Sequence, residues 1–332
     1  MTPPAGADAV RAVLERRIIC AAADFPHCHA SSVAEVAGGL VAAWFAGPAE
    51  GHPQACIWAS RCADGRWSRP WRIATGVQPD GTRAACWNPV LFRPRGGPLW
   101  LFYKAGLSPR QWWGMMTRSW DEGTTWQTPR RLPDGILGPS KNKPLQLSGG
   151  QVPSPSSTED NVWRVHLERS SNLGDTWERL PALNDGRSVR AIQPSILTYS
   201  GRGLQILCRS KEGCMTESWS TDGGATWSPM RCTRLPNPNS GCDAVTLVDG
   251  RQLLVYNPSR SMRTPLTVAV SEDGQHWRDV LVLEAGVGEY SYPAVIQGSD
   301  TRVHITYSWN QSAIAHVALD PSRLGGRFGP RR

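Results

Sequence analysis

Lysine is almost missing from this chain. Of 36 basic residues among 332, four are Lys (Lys104, Lys141, Lys143 and Lys211) and the other 32 are Arg. No basic run exceeds two residues, and no aromatic-interleaved basic stripe is present. The net charge of +8 therefore does not read as a nucleic-acid footprint. A diffuse positive field of this kind suits anionic ligands instead. No apolar run is long enough to cross a membrane, so no membrane partner is expected. The opening stretch, Met1 to Asp8, lacks a charged segment followed by an apolar one, and the expectation is a cytoplasmic protein. Nine cysteines contain no CxxC, and no Cys/His spacing matches a zinc module. No metal or cofactor is expected. The thiols are read as reduced and mostly buried, with Cys56/Cys62 and Cys208/Cys214 as the pairs that could face each other across a hairpin. No Pro-rich or Gly/Ser linker interrupts the sequence, which argues for one domain.

What the chain does have is Gly (33), Pro (27) and Trp (16), the makings of a turn-rich β protein. The tryptophans are periodic. Ser119, Asp121, Gly123, Thr125 and Trp126 form one turn sequence, and Ser220, Asp222, Gly224, Thr226 and Trp227 repeat it. A third copy, Ser170 to Trp177, has Asn172 for Asp; a fourth, Ser271 to Trp277, is one residue short; a degenerate fifth runs from Ser60 through Asp64 and Gly65 to Trp67. Asp accepts bonds from backbone N–H groups a few residues on, Gly supplies positive φ, and Thr and Trp re-enter a strand. These aspartates are turn formers rather than metal ligands.

A second signature starts each repeat: a polar residue, then Pro or Ala, then a small or aliphatic residue. The six starts are His29, Asn88, Lys143, Gln193, Asp243 and Tyr292, about every fifty residues. Self-similarity at that period means a solenoid, propeller or array. Four short strands fit each repeat, and six such sheets set radially make an all-β, six-bladed β-propeller. The expected division is a lead-in over residues 1–17, one propeller domain over 18–323 with Ile18 onward closing the ring, and a flexible tail over 324–332.

In such a ring the six starts converge on the axis, and none is apolar. The second strand of each blade returns to the same face, carrying Glu50, Lys104, Glu159, Arg209, Arg260 or Arg263, and Asn310. Mixed cations and carboxylates suit an acidic, hydroxyl-rich ligand such as a sugar acid. Trp112 and Trp113 would supply a stacking wall. On these grounds Tyr292, Glu50, Asp243 and His29 are candidate residues for the pocket's chemistry. The candidate binding residues are Arg209, Arg263, Lys143, Gln193, Asn88, Lys104 and Glu159.

These repeats resemble the Asp-boxes of the sialidase superfamily over nearly the whole chain, from about Phe25 to Trp309. The resemblance implies a propeller whose pocket takes an acidic sugar or glycan. Sialidases hold the substrate carboxylate with three arginines and use a Tyr nucleophile activated by a Glu, with an Asp as acid/base. The segment Ser291-Tyr292-Pro293-Ala294-Val295 is similar to that of the nucleophilic Tyr. Leu207-Cys208-Arg209-Ser210 is similar to the segment of the second arginine, and Arg263 matches the third. Two positions depart. His27-Cys28-His29-Ala30 stands where the first arginine belongs, and Gln193 stands for the activating Glu. A Gln cannot take a phenol proton, and Glu50 or His29 would have to replace the Asp. The resemblance thus implies a glycoside hydrolase on a sialic- or uronic-acid-type sugar, with a uronate-directed lyase or a non-catalytic sugar-binding propeller as alternatives.

Overall fold

The computed structural model describes residues 11–21, 24–201 and 203–325. The named elements of the described residues are β-strands and one 3₁₀ turn at Pro321–Arg323. Six sheets follow one another around a ring. From the axis outward, blade 1 comprises His27–Val36, Gly39–Gly47, Cys56–Ala63 and Arg66–Trp67, with Trp71–Ala74 added on the third strand. Blade 2 is Ala85–Phe92, Leu99–Gly106, Trp112–Ser119 and Arg130–Arg131. Blades 4 and 5 begin with Ala191–Tyr199 and Asp243–Thr246 and have four strands each. Blade 6 is Tyr290–Gln297, Val303–Trp309 and Ala313–Leu319, closed by the N-terminal strand Val13–Cys20 running antiparallel to Ala313–Leu319. The ring thus starts five residues before Ile18. The tail expected after residue 323 lies outside the described residues from 326 on.

Blade 3 has only three regular strands, Val152–Thr158, Arg164–Ser170 and Glu178–Arg179. Its innermost segment, around Lys143, is present but is not a ladder. Ser140 and Leu145 donate N–H bonds to the carbonyls of Pro155 and Pro153, and Leu147 donates to Gln151. Proline has no N–H to give, so Pro144, Pro153 and Pro155 remove the reciprocal bonds that would make a regular strand.

At the rim, the turns close as their sequence demands. Ser119 Oγ donates to Asp121 Oδ1 and accepts from Gly123 N–H, both at 2.8 Å. Asp121 accepts Thr125 N–H at 2.8 Å, and the Trp126 indole donates to Gly123 O at 3.1 Å. The turns at Asn172 and Asp222 make the same set of bonds, and the short turn at Asp273 keeps the Ser, Gly and Trp bonds. The degenerate copy behaves differently. Asp64 (φ 50°) and Gly65 (φ 72°) make a two-residue hairpin turn, and the Trp67 indole N–H finds no acceptor among the described residues.

At the axis, four inner strands carry a bulge. The register slips by one residue between His29 and Ser32, Trp87 and Val90, Ile192 and Ser195, and Ser291 and Ala294. The bulged residues Ala30, Asn88, Gln193 and Tyr292 all have left-handed backbone, with φ between 40° and 56°. An extra residue bends the strand and re-aims its side chain. The alignment corrects the first start by one position: Ala30, not His29, is the counterpart of Asn88, Gln193 and Tyr292.

Apolar side chains fill the spaces between blades. Leu253, Val255 and Val268 of blade 5 pack with Val295, Ile305 and Val317 of blade 6. The thiols divide unexpectedly: Cys214 forms a disulfide with Cys232 on the neighbouring strand of blade 4, not with Cys208. Cys56, Cys62 and Cys208 are free and buried.

Candidate functional site

The bulged Tyr292 is the centre of a polar cluster at the axis. Arg209, at the end of the second strand of blade 4 (Gly203–Ser210), donates from Nη1 to the Tyr292 hydroxyl at 2.6 Å. The same nitrogen reaches Gln193 Oε1 at 3.3 Å, while Nε and Nη2 hold Asn239 Oδ1 at 3.0 and 2.9 Å. The Arg209 guanidinium lies 5.6 Å from the centre of the Tyr292 ring, and that of Arg263 lies 5.7 Å from it. Two cations therefore flank one half-buried phenol.

Arg263 is held by Glu289, whose Oε1 accepts from Arg263 Nη1 at 2.8 Å, from Ser291 Oγ at 2.8 Å and from Gln311 Nε2 at 2.9 Å. Burial pushes the Glu289 carboxyl up, but the Gln311 bond and the charge of Arg263 outweigh it and leave it below the usual range. The chain continues from Gln311 Oε1 to His27 Nε2 at 2.9 Å. His29 packs on the Tyr292 ring, with centroids 4.3 Å apart. Burial, and then the charge of Arg263, push the imidazole down to about 3, so it is neutral at pH 7. Opposite, Glu159 meets Gln193 Nε2 at 3.5 Å. Burial raises its carboxyl above the usual value, against the pull of Arg209.

Beneath this layer the axis is cross-braced. Lys143 of blade 3 bonds both oxygens of Asp243 in blade 5, at 3.1 and 3.0 Å. Asp243 also accepts from Ser195 Oγ at 2.7 Å and from Val295 N–H at 2.8 Å. Lys141, pushed down to about 8 by burial, bonds Asn142 Oδ1 and the carbonyl of Pro293, the residue after Tyr292. Asn88 donates to Ser140 O at 3.0 Å. Lys104 is fully buried, donates to Pro139 O at 2.7 Å and is likewise pushed down to about 8 by desolvation.

The structure thus brings Tyr292, His29, Arg209, Arg263, Gln193 and Glu159 together. It gives Lys143, Asp243, Asn88 and Lys104 bracing contacts: the Asp243 carboxylate has all its acceptor directions occupied, and Lys104 is sealed from the pocket mouth. Glu50 is exposed and makes no hydrogen bond or ion pair among the described residues. Trp112 packs edge-on to Trp87, and Trp113 lies under Arg131 in a groove between blades 1 and 2, away from the axis. The aromatic at the cluster is instead Trp163, whose ring centre lies 5.4 Å from Arg209. Glu289, Asn239, Gln311 and Trp163 escaped the sequence reading. Glu289 stands three residues before Tyr292, on the edge of a start signature. Asn239 sits in a Pro-Asn-Pro-Asn turn with φ 57°, a composition that marks a loop and nothing more.

Residues 38–305 match the model of the BNR repeat-like domain family. A search of curated proteins returned no significant match. Among solved structures, a protein of unknown function from Dyadobacter fermentans is similar, with a TM-score of 0.78 and 18% identity over 93% of this chain and 98% of its own. The Hadza microbial sialidase Hz136 has a TM-score of 0.78 at 16% identity, over 92% of this chain and 68% of its own. Trypanosoma rangeli sialidase, in complex with sialic acid, has a TM-score of 0.69 at 17% identity, over 88% and 54%. At these identities the structural likeness speaks for the fold, and the family match adds the lineage. With its six blades, its Asp-box turns and this match over most of its length, the chain belongs to the BNR repeat-like family and is a sialidase-like propeller protein.

Proposed function

We propose that the central pocket hydrolyses a glycoside whose terminal sugar is acidic, of the sialic- or uronic-acid type. The observation that carries this reading is the Tyr292 hydroxyl bonded by Arg209 at 2.6 Å, with Arg263 on the same ring. Arginine presents a fork that matches a carboxylate, and these two would hold the sugar acid beside the phenol. The neighbouring structure of Trypanosoma rangeli sialidase with sialic acid makes such a ligand a natural choice for this fold.

In this mechanism the Tyr292 oxygen attacks the anomeric carbon and the bond to the leaving oxygen breaks. The two guanidinium groups stabilise charge developing on the phenol oxygen, and the phenolic proton leaves to water. Glu159, whose carboxyl burial raises above its usual value, gives its proton to the leaving oxygen. The Glu159 carboxylate then takes a proton from water, whose oxygen displaces Tyr292 as phenolate; the phenolate recovers from solvent the proton it released, and both groups are restored. Gln193 orients Arg209 and Glu159 without handling a proton.

One contact favours a second reading. Neutral His29 against Tyr292 is the pairing that a uronate lyase would use to move a proton from the carbon beside a neutralised carboxylate. A panel of fluorogenic sialosides and uronosides separates the readings. Hydrolysis predicts release of the fluorophore, abolished in Tyr292→Phe. An unsaturated, near-ultraviolet-absorbing product would assign the lyase instead. Saturable binding without product would leave a sugar-binding propeller, and no binding of any acid would sink the acidic-sugar reading.

A further inference from the structure

We propose that Trp163 and Lys211 form a second, outward subsite that takes another anionic sugar, so that the substrate is an acidic glycan with negative charge on its leaving side too. This rests on the acidic-sugar reading of the central pocket.

The argument begins with the scarcity of lysine. Three of the four lysines are buried or half-buried and committed: Lys104 to Pro139 O, Lys141 to Asn142 and Pro293, and Lys143 to Asp243. Lys211 is the exposed one. Its ammonium lies 4.1 Å from the centre of the Trp163 ring. Among the described residues no carboxylate pairs with it. The acid next to it in sequence, Glu212, is taken by Arg190, whose Nε lies 2.9 Å away. Lys211 therefore has an indole face and solvent as its direct surroundings, and its charge also reaches the Glu159 carboxyl. An ammonium resting on an aromatic ring still has donors directed outward.

The indole itself is positioned. It sits in the loop between Val152–Thr158 and Arg164–Ser170, where Asp160 accepts Val162 N–H at 3.1 Å and Asn184 Nδ2 holds the Trp163 carbonyl at 2.9 Å. The other side of the loop is packed against Gly186, where even a Cβ would meet Val162 and the Trp163 carbonyl. Glu159 opens the same loop. A leaving sugar whose oxygen is protonated by Glu159 must lie along it, against Trp163 and under Lys211. Arg209 also approaches this ring, so the anchor for the terminal acid and the free ammonium share one indole and lie within the reach of a disaccharide. Charge on the second sugar is what this arrangement distinguishes: a neutral ring would stack on Trp163 and gain nothing from Lys211.

The test is calorimetric titration with three probes. These are the free monosaccharide acid, a disaccharide of two acidic sugars, and the same disaccharide with the carboxylate of its second ring reduced to an alcohol. Each is run on the unmodified protein, Lys211→Met and Lys211→Arg. The expected result is about tenfold tighter binding of the diacid than of its reduced form, as a charge-assisted contact gives. That preference should shrink with salt, disappear in Lys211→Met and largely return in Lys211→Arg, with the monosaccharide unaffected throughout. Equal binding of diacid and reduced form, or a preference that survives Lys211→Met, overturns the subsite while the central pocket stands. Failure of the monosaccharide acid to bind at all is the separate result that brings down the pocket reading and this inference with it.

Discussion

The rim and the axis of this propeller are built from the same repeat, yet they use it in opposite ways. At the rim, four turns close with nearly the same bonds, and even Asn172 reproduces what Asp121 and Asp222 do. At the axis, four blades share one backbone device, a left-handed bulge, but fill it with Ala30, Asn88, Gln193 and Tyr292. Repetition of side chain marks what every blade needs in order to fold. Repetition of backbone with changing side chain marks where the ring departs from symmetry, and the cluster around Tyr292 is assembled there.

If that division is right, substitutions at the two places should fail differently. The largest effect is expected at Glu159. Glu159→Gln should lower turnover by roughly 10²–10⁴-fold, the range of a general acid, with the fold intact by circular dichroism. The sign of the pH dependence follows from the raised carboxyl: activity is highest while Glu159 is protonated and declines as pH rises through its elevated value. The Gln variant should lose that alkaline limb, and a retained limb would assign it to another group. Next comes the brace below the site. Asp243→Ala removes the partner of Lys143 and the acceptor of Ser195 and Val295. Stranding a buried charge in this way costs about 3–5 kcal/mol, which urea denaturation would read, and Lys143→Met together with Asp243→Ala should recover part of it.

The smallest effect is at the rim. Asp121 and Asp222 are held down to about 2, first by the hydroxyls of Thr125 and Thr226. A carboxyl depressed on folding stabilises above its unfolded value, near 4, and that contribution is lost as pH falls through the folded value. Replacing both with Asn, as at position 172, should leave activity unchanged at neutral pH and flatten the fall in melting temperature between about pH 4 and 2. A loss of activity there would break the separation of rim from axis.

The same contrast explains what could be read from the sequence. Asp-box turns are local: Ser, Asp, Gly, Thr and Trp satisfy one another within eight residues, so their spacing disclosed the blades. Arg209 and Tyr292 were legible because each ends or begins a strand. Their partners were not. Glu289 and Gln311 reach Arg263 and His27 from separate segments, and Trp163 comes from a loop whose composition is ordinary. Asp243 and Lys104 read as pocket residues because charge at a strand end says nothing about how many donors already surround it. The shift from His29 to Ala30 was hidden for a simpler reason: a bulge inserts one residue, and a single sequence does not say where.

The antiparallel pairing of Val13–Cys20 with Ala313–Leu319 also sets a timetable. The strand Val13–Cys20 finds its place late, because its partner emerges nearly 300 residues after it. At about 5–20 residues per second the nascent protein waits on the order of 15–60 s as an open arc, with the flanks of its first and last blades uncovered.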